Sequence, residues 1–420
     1  MSTPTTSSCG RTAGSTSTRD EGAPTWMRAV RDAGYRTSSF GKLHLTNAGR
    51  DVRLSEQNAQ RIGFDTVNET LGPRGCMNRI THMTQAWADA GVLEDFRIDI
   101  ADRLANDPLM VRPSPLPLEL YYDVYVPSQA VDHLRSLPPN EPWFCNVGFG
   151  GPHEPWDAPE PYASMFSPAD APDPIRPANP DNHTASYFLD HAPSMGGGRT
   201  PEQIAEMRAN YAGAVRLIDD QIGRLLEVVR ERGEWDRTVV VITSDHGEMN
   251  GDHGRVYKGT FFSAALDIPL ILRIPGRTRG ARSSVPVELH DVGPTLAEVA
   301  DAPLEHEQFA RSLTATCDDP TVGPRSVAIA EFRRDYLVAD QRHRLIVNRE
   351  GDSVLFFDRE LDPTERYNHL GQADHRQIEA ELRDQLFRAI THAQKSVRAG
   401  FRGAGYRQQR DTAQRILDQS

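Results

Sequence analysis

The chain has 420 residues, of which 25% are charged and 38% hydrophobic, and a formal net charge of −12. That length accommodates one large α/β domain and a smaller one. The acidic balance argues against nucleic acid as a partner, because phosphate backbones demand a basic face. Four cysteines, Cys9, Cys76, Cys145 and Cys317, are far apart and form no CxxC pair. Neither a zinc motif nor a disulfide framework is therefore expected, and a reducing, cytoplasmic setting is favoured. No apolar run reaches the ~18 residues that span a bilayer, so no membrane partner is expected. The first 22 residues are rich in Ser, Thr and Gly and lack the apolar core of a secretory signal.

Residues 1–22 read as a flexible tail. From Pro24 the spacing of Trp26, Met27 and Val30 predicts a helix that ends near Gly34. Arg36 to Phe40 reads as a short strand leading into Gly41-Lys42-Leu43-His44-Leu45. Pro142 to Phe149 reads as a buried strand, and it opens into Gly150-Gly151-Pro152-His153-Glu154-Pro155, a stretch too rich in Gly and Pro for regular structure. Residues 165–200 read as a long surface loop of the kind that borders clefts. A long helix is predicted from Pro201 to about Arg232, with Ile204, Met207, Tyr211, Val215, Ile218, Ile222, Leu225 and Val229 on its buried face.

The strand Thr238 to Thr243 follows Gly233, and a helix is expected around Gly293 to Ala302. From Ser326 the segments SVAIAE, DYLVA, RHRLIVN and DSVLFFD have hairpin-like spacing, followed by a helix from about Arg376 to Lys395. The fold class that results is α/β: a mostly parallel central sheet flanked by helices, with a smaller C-terminal antiparallel β subdomain plus helix. The domains are then a tail over 1–22, an α/β domain over 23–320 and the C-terminal subdomain over 321–420.

Three separated motifs share one chemical character. Lys42 with His44, then His153, then Asp245-His246 with Lys258 each lie just past a predicted strand. Strand ends are where open α/β sheets place ligands. A carboxylate beside an imidazole suits a metal ion, and the two lysines and His153 suit the oxygens of a tetrahedral anion. His253, in GDHG, reads as a turn residue. His290, His343 and His369 read as ordinary surface or packing residues, and Met77, Met83 and Met110 as packing.

The segments GYRTSSFGKLHL, GFGGPHEPWDAPEPY, YAGAVRLIDDQIGRLL, VVVITSDHGEMNGDHGRVYKGT, DIPLILRIPG and LFFDRELDPTERYNHL occur in this order between about Ala23 and Leu370. In that set the chain resembles the sulfatase family of the alkaline-phosphatase-like superfamily. The resemblance implies a hydrolase acting on small-molecule sulfate esters. Asp245 and His246 match metal ligands, for calcium first and manganese as the alternative. Lys42 and His44 match groups that touch the sulfate and the nucleophile. His153 and Lys258 match further sulfate-binding groups, one of them placed to assist the leaving oxygen.

Two parts of the family pattern are absent. The Cys/Ser-x-Pro-x-Arg motif, which becomes the formylglycine nucleophile, does not precede GYRTSSFGKLHL; Cys9-Gly10-Arg11 lacks its proline. The first strand with its paired aspartates is also missing, since Asp20 and Glu21 follow no apolar strand. Asp245 and His246 alone make an incomplete site for calcium, which takes six to eight oxygens. The expectation is a truncated or degenerate sulfatase of poor activity, with a gap or exposed edge in its sheet. Alternative readings are a phosphonate monoester or phosphodiester hydrolase of the same superfamily, or a non-catalytic anion-binding relative.

Overall fold

A computed structural model of the chain describes residues 24–43, 49–176, 198–277, 280–304 and 308–393. Two compact units emerge. One contains the chain up to Ala281 together with Gly293–Leu304, and the other contains Arg282–Val292 and the residues beyond Leu304.

In the first unit, helix α1 (Trp26–Asp32) begins where the Thr25 hydroxyl accepts the Arg28 N–H, and it stops before Gly34 at φ +96°. Strand β1 (Arg36–Lys42) follows, buried along its middle. Helix α2 (Glu56–Ile62) leads into strand β2 (Thr66–Thr70), and α3 (Pro73–Cys76), α4 (His82–Asp89), α5 (Leu93–Asn106) and α6 (Tyr122–Ser136) precede strand β3 (Trp143–Gly148). The three strands make a parallel sheet in the order β2-β1-β3, with Gly41 opposite Gly148 and Lys42 opposite Thr70. α6 packs on this sheet, and Phe40, Trp87, Phe96, Ile100, Tyr121 and Leu217 share the largest core cluster.

Helix α7 (Pro201–Glu231) runs over 31 residues and opens with a capping box between Thr200 and Gln203. Its buried line differs from the expected one. Val215 is 45% exposed, and the inward positions include Met207, Asn210, Gly213, Ala214, Leu217 and Gln221. The reason is close approach of a loop. A Cβ at Gly213 would lie 2.2 Å from the Tyr162 carbonyl oxygen, and Asn210 accepts the Ala158 N–H at 3.3 Å. Small and polar residues therefore line the buried side, which a search for apolar periodicity passes over.

Strand β4 (Val240–Thr243) pairs antiparallel with β5 (Leu270–Arg273), and this ladder is not joined to the parallel sheet among the described residues. Apolar side chains fill β3, β4 and β5, yet no residue of these three strands is fully buried. At the amino ends of β3 and β4 the buried Glu234 carboxylate fastens the region, accepting from Trp143 Nε1 at 2.8 Å and from Arg232 Nε at 2.9 Å. Helix α8 (Val292–Val299) brings Gly293 against the Trp26 indole, and Ala297 packs with Val30.

The second unit carries an antiparallel sheet of β6 (Ala328–Phe332), β7 (Asp335–Ala339), β8 (His343–Val347) and β9 (Ser353–Asp358), in that spatial order. A helix over 376–393, α9, supplies Leu382 and Leu386 to a core with Val338, Leu345 and Phe356. The four hairpin-spaced segments read from the sequence are these four strands.

Candidate active site

The loop after β3 is set by a buried carboxylate. Asp123, at the start of α6, accepts the Gly150 N–H at 2.7 Å on Oδ1 and the Gly151 N–H at 2.8 Å on Oδ2. A Cβ on Gly151 would lie 2.2 Å from Asp123 Oδ2, so only glycine lets the carboxylate reach both amides. Burial pushes the Asp123 carboxyl up to about 7, although the two amides oppose the shift.

This clamp delivers His153. Its Nδ1 lies 2.5 Å from Glu154 Oε2 and 3.0 Å from the Glu154 carbonyl oxygen. Its Nε2 lies 2.6 Å from Lys258 Nζ. Glu154 is only 3% exposed and pairs with Arg74 Nη2 at 2.9 Å. Burial raises the Glu154 carboxyl, but the His153 bond and the charges of His153 and Arg74 win and hold it low. Lys258 moves below its ordinary value because burial disfavours its charge, against the pull of Glu154.

The backbone that carries Lys258 is constrained. Tyr257 holds φ +71°, a left-handed conformation unfavourable for its side chain. Its N–H donates to Glu248 Oε1, and its hydroxyl accepts from Arg74 Nη2 at 3.1 Å. Arg74, on α3, thus touches both the partner of His153 and the neighbour of Lys258.

Asp245 and His246 leave the end of β4. Gly247 fits there because its amide donates to the Ala265 carbonyl at 2.8 Å and a Cβ would meet the Ala264 oxygen at 2.0 Å. His246 Nδ1 is 2.9 Å from the Gly247 carbonyl, which fixes the proton there and leaves Nε2 free to accept. The His246 and His153 ring centroids are 5.9 Å apart. Desolvation by neighbouring protein raises the Asp245 carboxyl, and the charges of His246 and Lys42 more than offset it. Lys42 leaves β1 at Gly41, whose φ of +98° and missing Cβ allow the Gly148 carbonyl to approach. Its charge lies within electrostatic range of Asp245, Lys258 and Asp123.

His153, Asp245, His246 and Lys258 are therefore neighbours, and the charge of Lys42 reaches them. His44 lies outside the described residues. The sequence reading missed Arg74, Asp123, Glu154, Tyr257 and Glu248. A local signal existed for Glu154, directly after His153, and for Glu248, two residues past His246.

The metal expectation meets a limited donor set. One carboxylate and one imidazole are a fragment of a calcium shell of six to eight oxygens, and Lys42 and Lys258 stand close by. These described residues do not fit the complete ion site, so no chemical step is assigned to a metal here. The described residues contain one His and carboxylate group at ligand spacing, Glu288, His290 and Asp291. Arg325 pairs with both of its carboxylates, and His290 Nε2 is 2.7 Å from Glu288 Oε2. It reads as an ion-pair network. His290 is exposed and His343 half-buried, with its Nδ1 3.1 Å from Asp340 Oδ2, so each is a surface or packing residue with a carboxylate neighbour. His253 is the expected turn residue, at φ +54° and stacked on Phe262 at 3.8 Å.

Comparison with known proteins follows the same lines. The sulfatase family model matches residues 5–302. The multifunctional alkaline phosphatase superfamily protein PehA of Trinickia caryophylli is 34% identical over 203 residues, 44% of this chain and 39% of that protein. Arylsulfatase K of Danio rerio is 32% identical over 123 residues, 29% of this chain and 24% of that protein. The chain thus spans about two fifths or less of these two relatives. The phosphonate monoester hydrolase of Agrobacterium radiobacter superposes with a TM-score of 0.71 at 23% identity, over 87% of this chain and 80% of that one. The enzyme from Silicibacter pomeroyi gives 0.66 at 23%, over 90% and 81%. No described helix is long and apolar enough to cross a membrane. With its α/β architecture, its antiparallel C-terminal sheet and a family match over most of its length, the chain belongs to the sulfatase family.

Proposed function

We propose that the chain carries the substrate-gripping part of a sulfatase-type hydrolase site, directed at small-molecule sulfuric esters. The observation that carries this reading is the convergence of Lys42, His153 and Lys258 beside Asp245 and His246. Two ammonium groups would neutralise the oxygens of an esterified XO3 group, and Lys258, hydrogen-bonded to His153 Nε2, would pass a proton to the leaving oxygen. His44 is proposed to reach the nucleophile side, and Asp245 and His246 to contribute two ligands to a divalent cation, calcium or manganese.

No Cys/Ser-x-Pro-x-Arg motif occurs within these 420 residues, so this stretch of chain by itself is expected to grip an ester rather than to turn it over. The direct test is to supply the purified chain with an aryl sulfate and a matched phenylphosphonate monoester, and to measure binding of inorganic sulfate by calorimetry. Sulfate binding that weakens about tenfold in Lys258→Met, without turnover, supports the reading. Robust aryl sulfate hydrolysis would overturn the expectation of inactivity, and no anion binding would overturn the site itself.

A second reading is a phosphonate monoester or phosphodiester hydrolase. It is favoured by the 34% identity to PehA and by the two phosphonate monoester hydrolase structures. Tighter binding of phenylphosphonate than of sulfate would select it.

A further inference from the structure

His153 has two ring nitrogens, and which one carries the proton decides what it can do to a bound ester. The imidazole tautomer is set by whatever the other nitrogen faces. Around Nδ1 the structure offers oxygens only: the ring hydrogen-bonds the Glu154 carbonyl at 3.0 Å, and the Glu154 carboxylate lies 2.5 Å away as its ion-pair partner. Around Nε2 it offers a donor, the Lys258 ammonium at 2.6 Å. Both sides agree: Nδ1 donates and Nε2 accepts.

Glu154 is not a surface counter-ion. It is 3% exposed, and its charge is sustained from the far side by Arg74, which also holds the Tyr257 hydroxyl beside Lys258. A buried carboxylate held between a guanidinium and an imidazole keeps the ring from turning, since a flipped ring would set Cδ2 against the carboxylate and carry Nε2 away from Lys258.

We propose that Glu154, braced by Arg74, is the positioning residue of His153: it fixes the Nδ1–H tautomer and aims the accepting Nε2 at the Lys258 ammonium, which in turn faces the ester oxygen. Glu154 does not touch the ester; it acts through His153. The inference rests on the reading of His153 as an ester-facing group, but its geometry stands apart from turnover.

The test uses the full 420-residue chain labelled with ¹⁵N-histidine, held at pH 8, with long-range ¹H–¹⁵N correlation spectra and His153→Gln to assign the ring. The wild-type ring should show a protonated Nδ1 and a bare Nε2. Glu154→Gln, which keeps the shape but presents an amide able to donate, should give mixed or reversed tautomers. Sulfate affinity should fall about tenfold or more, as for removal of partners that orient a ligating histidine. The remaining histidine signals report whether the variant is folded. If Glu154→Gln does not fold, the wild-type spectrum decides alone.

A wild-type ring protonated on Nε2, or a folded Glu154→Gln with an unchanged tautomer, would overturn the proposal. A merely structural Arg74–Glu154 ion pair would cost stability in Glu154→Gln but leave the ring signature as it was. Wild-type chain that shows the expected tautomer yet binds no sulfate would sink the proposed function and leave the positioning role intact.

Discussion

Two glycines beside the site have no tolerable replacement. Gly151→Ala would thrust a methyl group onto Asp123 Oδ2, at 2.2 Å, and so break the clamp that delivers His153. Gly41→Ala would meet the Gly148 oxygen at 2.0 Å while also forcing alanine to φ +98°. We expect urea melts to show a loss of about 1–3 kcal/mol for the first and a larger loss for the second, from overpacking plus strain. His153, Asp245 and His246 stand out in the sequence because each follows an apolar strand in a Gly- or Pro-marked stretch, while their role as a site is proposed. Asp123 and Arg74 were not, because their partners are remote: Asp123 is 27 residues from Gly150, and Arg74 is 183 from Tyr257. Only the fold can bring such pairs together.

Strands and helices were read with more success where local chemistry speaks. Helix α7 announces itself by Thr200, Pro201 and Gln203, and the four strands of the second unit by their alternation and spacing. Pairing partners were harder. β4 was expected in a mostly parallel sheet, whereas it pairs antiparallel with β5 and makes no ladder with β3 among the described residues. A strand's neighbours are a matter of tertiary context that its own four residues do not encode. Their incomplete burial has a practical outcome, because apolar strands with open edges associate. Ile271, at the middle of β5, is 58% exposed. Ile271→Lys is expected to lower light scattering on heating and reduce hydrophobic-dye binding, with thermal stability within about 0.5 kcal/mol of the parent. A large fall in stability would show that Ile271 is covered in solution.

For the molecule as a whole, pH is the informative variable. Asp123 titrates at about 7 in the folded protein and near 3.8 in an unfolded chain. The folded state therefore holds the proton more tightly, and the group's contribution is fully present below about pH 3.8 and is lost as pH rises through about 7. Asp157, buried against the hydroxyls of Tyr121 and Tyr122, behaves alike with a value of about 6. In the second unit Asp358 has the opposite sign. Two hydrogen bonds from Arg342 hold its carboxyl low, so its contribution is present above the ordinary carboxylate range and fades in acid. Asp123→Asn should thus cost most near pH 5 and progressively less toward pH 8, with a slope of up to roughly 1.4 kcal/mol per pH unit. Asp358→Asn should cost least in strong acid. Parallel stability curves for Asp123→Asn and the parent from pH 5 to 8 would refute the assignment. The division into a layered α/β part and an antiparallel part was legible in the sequence, because hydrophobic period and spacing change together after Ser326. The titration behaviour was not, since it depends on burial.

Glu234 has a mechanical consequence. One carboxylate gathers Trp143, Arg232 and Arg237 at the foot of β3 and just ahead of β4, where among the described residues no peptide ladder joins the two strands. The seam is closed like a purse at one corner, by charges rather than by stitching. Because that carboxylate is buried, added salt should screen little beyond its exposed Arg237 partner, whereas Glu234→Gln should loosen the corner and quicken amide exchange along β3 while β1 stays protected.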